Sequence, residues 1–389
     1  MTNPLPPICL SSAKFTSIEA TSHTTWTFVE ISDTEGFTEV VEIGSNRAMI
    51  GPSGHTTKSI ASLIAESVES LKTIKILEES DIPAMLGLEP LTLQISPNLA
   101  TVVSALRTAM ICLQAKHMSM SLAEALGGGR VESIPVYANI NRSLLGKPRT
   151  PSDFAREAEE VVAHGFSIIK CNPFDEVSKI DGHDSNIENA KLGIQRVTRI
   201  RESVGDEVNV LVDCHEKFGF EAAILVAKSL SELKIGWLEE PIPLKNNSRE
   251  LTRIAQEIQI PLAGGENGYG KDYFDALILD GLFNIIMPDI KFCGGASEAH
   301  NISLSTLSNA GLVSFHNPSG PVSQLCSAQV TAATPKILPL EHATGEASWR
   351  ADLMNPPEII NNGHYWLPHG HGLGSSLNQE AIKAKGTSW

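Results

Sequence analysis

The sequence predicts an α/β protein: a closed parallel barrel preceded by an α+β domain. Three observations lead there. Eight short apolar runs recur from residue 134 onward, separated by helix-length segments. Three successive runs end on a carboxylate, at Asp213, Glu239 and Glu266. The first 132 residues lack this rhythm, and 389 residues is too long for one ordinary core but suits a barrel plus an accessory domain.

Taken in order, residues 15–20, 25–32 and 37–43 alternate like strands, with a turn at 32–36, and predict an antiparallel meander. Residues 59–71 and 99–118 read as helices, the second carrying Val102, Val103, Leu106, Met110 and Leu113 at helical spacing. A further helical stretch, 121–126, stops at Gly127-Gly-Gly129. The triple glycine follows a helix rather than a strand, which makes it a C-cap and linker rather than a phosphate cradle. The barrel runs are 134–140, 166–171, 208–214, 235–238, 260–263, 283–287, 312–315 and 337–340. Helical segments at 151–164, 186–204, 220–233, 249–259, 272–279, 297–310 and 323–332 separate them. The expected domains are 1–132, 133–343 with the active site, and a tail 344–389 too irregular for another βα unit. That tail is expected to pack back on the first domain.

Composition narrows the function. Hydrophobic content of 42% and charged content of 19% describe a globular protein. A net charge of −15 with no basic run argues against nucleic acid as a partner. The six cysteines form no CxxC pair, and four lie in or beside apolar runs, so reduced thiols are expected. There is no long uninterrupted apolar segment and no signal-peptide pattern, so the expectation is a cytoplasmic protein without a membrane partner.

In a parallel barrel all strands point their C-terminal ends to one rim, where catalysis sits. The expected rim is ionisable almost all round: Lys170 and Asn172, Asp213 and His215, Glu239, Glu266, Asp289, His316 and Glu341. Three carboxylates within about 4 Å would repel by about 4 kcal/mol per pair at an effective dielectric of about 20. Asp213, Glu239 and Glu266 therefore call for a cation, and oxygen-only ligation favours magnesium. Glu240 should point the other way on its strand. His369-Gly-His371 has no further ligand nearby in the chain and reads as a surface loop.

These motifs resemble the enolase superfamily, in its mandelate racemase subgroup, over essentially the whole chain. They are Lys170-x-Asn172, Asp213-x-His215, Trp237-Leu-Glu239-Glu-Pro241, Gly265-Glu266-Asn267, Met287-Pro-Asp289 before Gly294-Gly295, His316-Asn-Pro-Ser-Gly-Pro321 and Leu340-Glu341. The resemblance implies a modified (β/α)7β TIM-type barrel under an α+β capping domain completed by the C-terminal tail, in a homo-oligomer. It implies Asp213, Glu239 and Glu266 as Mg²⁺ ligands, and Asp289 and His316 as the dyad that abstracts a proton next to a substrate carboxylate. Lys170 would add positive charge against that carboxylate. Glu341, if protonated, would donate a hydrogen bond to it.

Two departures separate the chain from the racemase. The racemase pattern has a second, basic lysine where this chain has Asn172, an amide that does not titrate. His215 stands two residues after Asp213 and, by strand alternation, should share its face. This combination resembles the sugar-acid dehydratases of the superfamily, galactonate dehydratase among them, in which that histidine protonates the departing hydroxyl. The expected function is a Mg²⁺-dependent dehydratase of a 2,3-dihydroxy (aldonic or aldaric) acid. The alternatives are a racemase or epimerase, a lactone cycloisomerase, and a non-catalytic binding relative. Substrate choice is expected from the stretch 21–24 and from 47–55, whose Gly51-Pro-Ser-Gly54 suggests a lid.

Overall fold

A computed structural model describes residues 4–44, 57–178 and 187–388. The expected lid at 47–55 lies outside the described residues. The chain begins with the antiparallel strands β1 (Leu10–Thr21), β2 (Thr24–Asp33) and β3 (Thr38–Ile43). Their alternation buries Val29, Ile31 and Val41 against helices α1 (Thr57–Leu71) and α2 (Pro97–His117). Ile64, Leu106 and Met110 complete this core.

Helix α2 is apolar on nearly every side because both of its faces are covered. One face meets the small sheet. From the other, Ser104 Oγ and Thr108 Oγ1 accept the Gly294 and Ala296 backbone N–H groups of the barrel, at 2.9 and 3.0 Å. By length and composition alone α2 passes for a membrane-crossing helix, but Arg107 interrupts its apolar run and 89% of its apolar window is buried inside the protein.

The barrel consists of β4 (Ser133–Asn139), β5 (Ile168–Cys171), β6 (Asn209–Asp213), β7 (Leu238–Glu239), β8 (Leu262–Gly264), β9 (Ile285–Ile286), β10 (Leu312–Val313) and β11 (Leu340–Ala343). They pair in parallel and in sequence order from β4 to β10, and β11 pairs β4. The seam between β10 and β11 is closed by the Leu338 N–H bonded to Val313 O at 2.9 Å and by Ser314 Oγ bonded to Pro339 O at 2.9 Å. Helices α3 (Pro151–Ala163), α4 (Ile187–Val204), α5 (Phe220–Ser231), α6 (Ser248–Glu257), α7 (Lys271–Leu279), α8 (Ala296–Ser308) and α9 (Pro321–Ala333) follow their strands. All eight expected strands are present, most of them shorter than their apolar runs.

Inside the barrel Tyr137, Leu211, Trp237, Ala263, Ile285 and Met287 form one cluster, with Ile168 against it. Val210 and Val212, the neighbours of Leu211, instead join the core under the helices. Period-two alternation therefore carries Asn139, Lys170, Asp213 and Glu239 into the barrel, one layer above Tyr137, Ile168, Leu211 and Trp237. The apolar layer is the floor of the site.

The tail divides between both bodies. The hairpin Ile359–Asn361 with His364–Trp366 pairs antiparallel with β4, a contact with the barrel the sequence did not suggest. The last strand, Gly386–Ser388, pairs antiparallel with β1. Two acidic residues of β3 tie the small sheet down: Glu42 accepts the Gly320 and Ser323 N–H groups at the start of α9, at 2.7 and 3.0 Å, and Glu39 accepts that of Leu373 at 3.0 Å. A carboxylate at a helix N-terminus satisfies donors the helix cannot. All six cysteines are free thiols, five of them buried.

Candidate active site

Lys170, Asp213 and Glu239 sit at the C-terminal ends of their strands, Asn172, His215, Glu266, Asp289 and His316 lie one to three residues beyond theirs, and Glu341 lies within β11; the structure pairs them off. Lys170, 1% exposed, places Nζ 2.7 Å from Glu341 Oε1 and 3.0 Å from Glu239 Oε1. Trp237 Nε1 donates to Glu239 Oε2 at 3.1 Å. Glu341 also accepts from Asn139 Nδ2 at 2.7 Å and from the Asn317 N–H at 2.8 Å. The two carboxylates thus share one ammonium unequally. Burial raises the Glu341 carboxyl, but Lys170 and then His316 outweigh it and hold it below its ordinary value. Burial pushes Glu239 up to about 7, because Asp213, Glu341 and Glu266 oppose the pull of Lys170. Glu341 thus accepts from Lys170, Asn139 and Asn317 and anchors the Lys170 ammonium.

At the end of β6, His215 Nε2 lies 2.7 Å from Asp213 Oδ2, and the His215 N–H donates to Asp213 Oδ1 at 2.8 Å. The contact was expected, but its cause differs. The strand ends at Asp213, and His215 and Glu216 take φ of +49° and +56°, so a left-handed turn folds the imidazole back onto the carboxylate. Burial of Asp213 is outweighed by His215, which holds its carboxyl at about 2; His215 is in turn raised against its own burial by Asp213. Asn172 Nδ2 meets His215 Nδ1, while the buried Asn172 Oδ1 has no partner among the described residues. Half a turn of that amide would exchange donor for acceptor, so Asn172 can serve either protonation state of the ring.

Across the mouth, His316 Nδ1 lies 2.9 Å from Asp289 Oδ2 and Nε2 lies 3.1 Å from Glu266 Oε2. Burial lowers the imidazole, but Glu266 and the Asp289 hydrogen bond outweigh it and bring it to about 9. Lys291, which sequence reasoning missed, donates its N–H to Asp289 Oδ1 at 2.8 Å and its Nζ to Asp289 Oδ2 at 2.9 Å; Nζ also reaches Ser319 Oγ. The Asp-x-Lys spacing could have exposed it by the argument applied to Asp213 and His215. Asn139, Asn317 and Trp237 were also missed, having no charge to draw attention. Glu240 is outside the strand at φ +42°, and its carboxylate accepts the Gly265 N–H at 3.2 Å.

Among the described residues no three carboxylate, imidazole or thiol groups meet closely enough to form a ready cation cage. Asp213 faces His215, Glu239 faces Lys170 and Glu266 faces His316. The residues nevertheless suit a hard divalent ion. Asp213 and Glu239 are register partners on adjacent strands, every candidate donor is a carboxylate oxygen, and Glu239 is short of positive charge.

An open cleft runs from Asp289 and His316 past Lys291 to the β1–β2 turn at His23–Trp26 and to Arg142. The fold and this rim define a barrel enzyme with its polar site under a capping sheet. The sequence matches the family described as "Enolase C-terminal domain-like" over residues 153–381, and the chain belongs to the enolase superfamily.

Among its relatives, D-xylonate dehydratase of Haloferax volcanii is 29% identical over 298 residues, 75% of this chain and 70% of that protein. D-gluconate dehydratase of Thermoproteus tenax is 28% identical, over 73% of this chain but only 56% of its own length. D-galactarolactone cycloisomerase of Agrobacterium fabrum is 27% identical, over 72% of this chain and 73% of that protein. The fold is shared with a crystal structure of an enolase superfamily member from Salmonella Typhimurium, with TM-score 0.83, 20% identity, and 98% and 100% of the two chains covered. A mandelate racemase-subgroup structure from Agrobacterium tumefaciens gives 0.82, 23% identity, and 98% of each chain.

Proposed function

We propose that this enzyme is a Mg²⁺-dependent sugar-acid dehydratase, converting a 2,3-dihydroxy acid to a 2-keto-3-deoxy acid. The observation that carries the reading is a pair of carboxylate-held histidines on the third and seventh of eight strands, hence on opposite sides of the barrel mouth. Several relatives are named as dehydratases of sugar acids. The free thiols fit a reducing cytoplasm.

Asp213, Glu239 and Glu266 would hold the divalent cation, which supplies electrostatic stabilisation for negative charge growing on the substrate carboxylate. Lys170, anchored by Glu341, adds fixed positive charge to the same region. Asp289 orients His316 through Nδ1; Nε2, which lies against Glu266 here, would be released to take the C2 proton once Glu266 turned its carboxylate to the cation. The C–H electron pair moves into the carboxylate as a C2 enediolate. His215 then gives a proton to the 3-oxygen, the C3–O bond breaks, and water leaves. The enol so formed takes a proton at C3 and becomes the ketone. Asn172, an amide that does not titrate, accompanies His215 through its change of protonation state.

The test is incubation of mono- and diacid sugars with enzyme and Mg²⁺ in deuterated water, following 2-keto acid and deuterium at C2. Keto acid formation supports dehydration; an isomer without keto acid selects the cycloisomerase reading that one relative's name suggests. In His215→Asn, dehydration is expected to fall by about 10²-fold or more while C2 exchange persists. Equal loss of both would remove the separate acid role. Glu266→Gln is expected to weaken Mg²⁺ binding by about tenfold or more in calorimetry, the usual scale for a lost metal-site group; an unchanged affinity would take Glu266 out of the ligand set.

A further inference from the structure

We propose that Lys291 is a positioning residue of the base: it pins both oxygens of the Asp289 carboxylate, so that Asp289 can hold the His316 ring in one orientation. The inference rests on His316 being the base of the reaction proposed above, not on which acid is the substrate or on the loss of water.

The chain turns sharply after Asp289. The Phe292 and Cys293 N–H groups both bond to Asp289 O at 2.9 Å, and the Lys291 N–H bonds to Asp289 Oδ1 at 2.8 Å, the pattern of an Asx turn. That turn brings the Lys291 side chain back on the same carboxylate. Its Nζ lies 2.9 Å from Asp289 Oδ2, the oxygen that also faces His316 Nδ1 at 2.9 Å. A carboxylate left to itself turns easily about its last torsion, whose preference is broad. Here one residue fixes its plane from both ends. Each carboxylate oxygen offers about two lone pairs; on Oδ2 the ammonium takes one and the imidazole the other.

Lys291 is itself held in place. Its Nζ donates to Ser319 Oγ, and the Ser319 carbonyl accepts from Arg350 Nη1 at 2.5 Å. Gly44, just after β3, closes on the same segment: a Cβ there would stand 3.1 Å from the Phe292 ring and 3.8 Å from Lys291 Cε. The ammonium does not serve as a clamp between the domains. Among the described residues Asp289 is the only carboxylate within 4.0 Å of it, and Glu42 of the capping sheet is occupied by the N–H groups at the start of α9. Burial of Asp289 is outweighed first by Lys291 and then by His316, which hold its carboxyl below its ordinary value. Lys291 also lines the cleft, so direct contact with substrate is the competing role that the test must separate.

The test follows C2 exchange with Mg²⁺ in deuterated water, together with the low-field proton resonance of the His316 ring N–H facing Asp289, identified by its absence in His316→Asn. Lys291→Met is expected to lower kcat for exchange by about ten- to hundred-fold, the scale of a misplaced catalytic group. KM should stay within about two-fold of the parent, and the resonance should leave its parental position. Lys291→Arg can still donate to Oδ2 and should recover part of both changes. In an Asp289→Asn background, Lys291→Met should cause no further loss, because the carboxylate it holds is already gone. Should Lys291→Met fold poorly, Ser319→Ala, which only unties the ammonium, is expected to show the same changes at smaller size. A raised KM at unchanged kcat would make Lys291 a substrate ligand and overturn the inference. So would full additivity with Asp289→Asn, or a rate and resonance equal to the parent's; each of these leaves the dehydratase reading standing. Exchange that depends on Lys291 but yields no keto acid would support the inference and overturn that reading instead. With acids that do not exchange at all, the resonance in Lys291→Met and its return in Lys291→Arg decide alone.

Discussion

His316→Asn is expected to lose C2 proton exchange by about 10²–10⁴-fold, the usual contribution of a positioned base. The amide can still face Asp289 but cannot take a proton, so the substitution separates chemistry from placement. Mg²⁺ affinity in calorimetry should stay within a few-fold of the parent, because His316 lies against Glu266 without being a ligand. Asp289→Asn supplies the contrast. It leaves a base whose ring is no longer held by a carboxylate, and frees the Lys291 ammonium that now shares the same oxygen. Its exchange should fall less than that of His316→Asn. Exchange in His316→Asn at the parent rate would remove His316 as the base.

Much of the barrel was legible because each strand is buried on both faces and reads as an apolar run, and because a side chain ending such a run can reach only the rim. Asp213, Glu239, His316 and Glu341 were visible on that ground alone. The small sheet was less so. Glu39 and Glu42 look like solvent-facing residues of β3, yet both are buried, because the barrel and tail that bring them backbone N–H donors lie hundreds of residues away. The tail hairpin escaped for a similar reason: Ile359 and Trp366 remain largely exposed, so its strands carry little apolar signal and depend on β4 for register. At the site, spacing correctly joined His215 to Asp213, but the left-handed turn that joins them is invisible in residue types that ordinarily avoid it. Partners such as Asn139 and Asn317 are uncharged, and only three-dimensional placement reveals that they hold Glu341.

Lys170 bears the largest structural consequence. Its ammonium is the cation between two carboxylates that are themselves almost wholly buried, Glu239 at 1% and Glu341 at 0% exposure. Lys170→Met keeps the length of the stem and removes the charge. Breaking a buried ion pair from one side costs about 3–5 kcal/mol, since the surviving charge stays desolvated and unpaired. In metal-free protein the urea midpoint of Lys170→Met should therefore fall markedly with little change in slope. Glu341→Gln should cost less, about 1–3 kcal/mol, because Lys170 retains Glu239 while the amide turns a donor toward Asn139 or the Asn317 N–H. The double variant is the decisive comparison. With one carboxylate neutralised, the loss of Lys170 leaves a single unpaired charge rather than two, so the combined destabilisation should be smaller than the sum of the single ones. Additive losses, or a Lys170→Met midpoint equal to the parent's, would show that the ammonium does not hold these carboxylates together. Saturating Mg²⁺ should restore part of the Lys170→Met midpoint, because a cation taken up by Glu239 replaces the positive charge that the substitution removed.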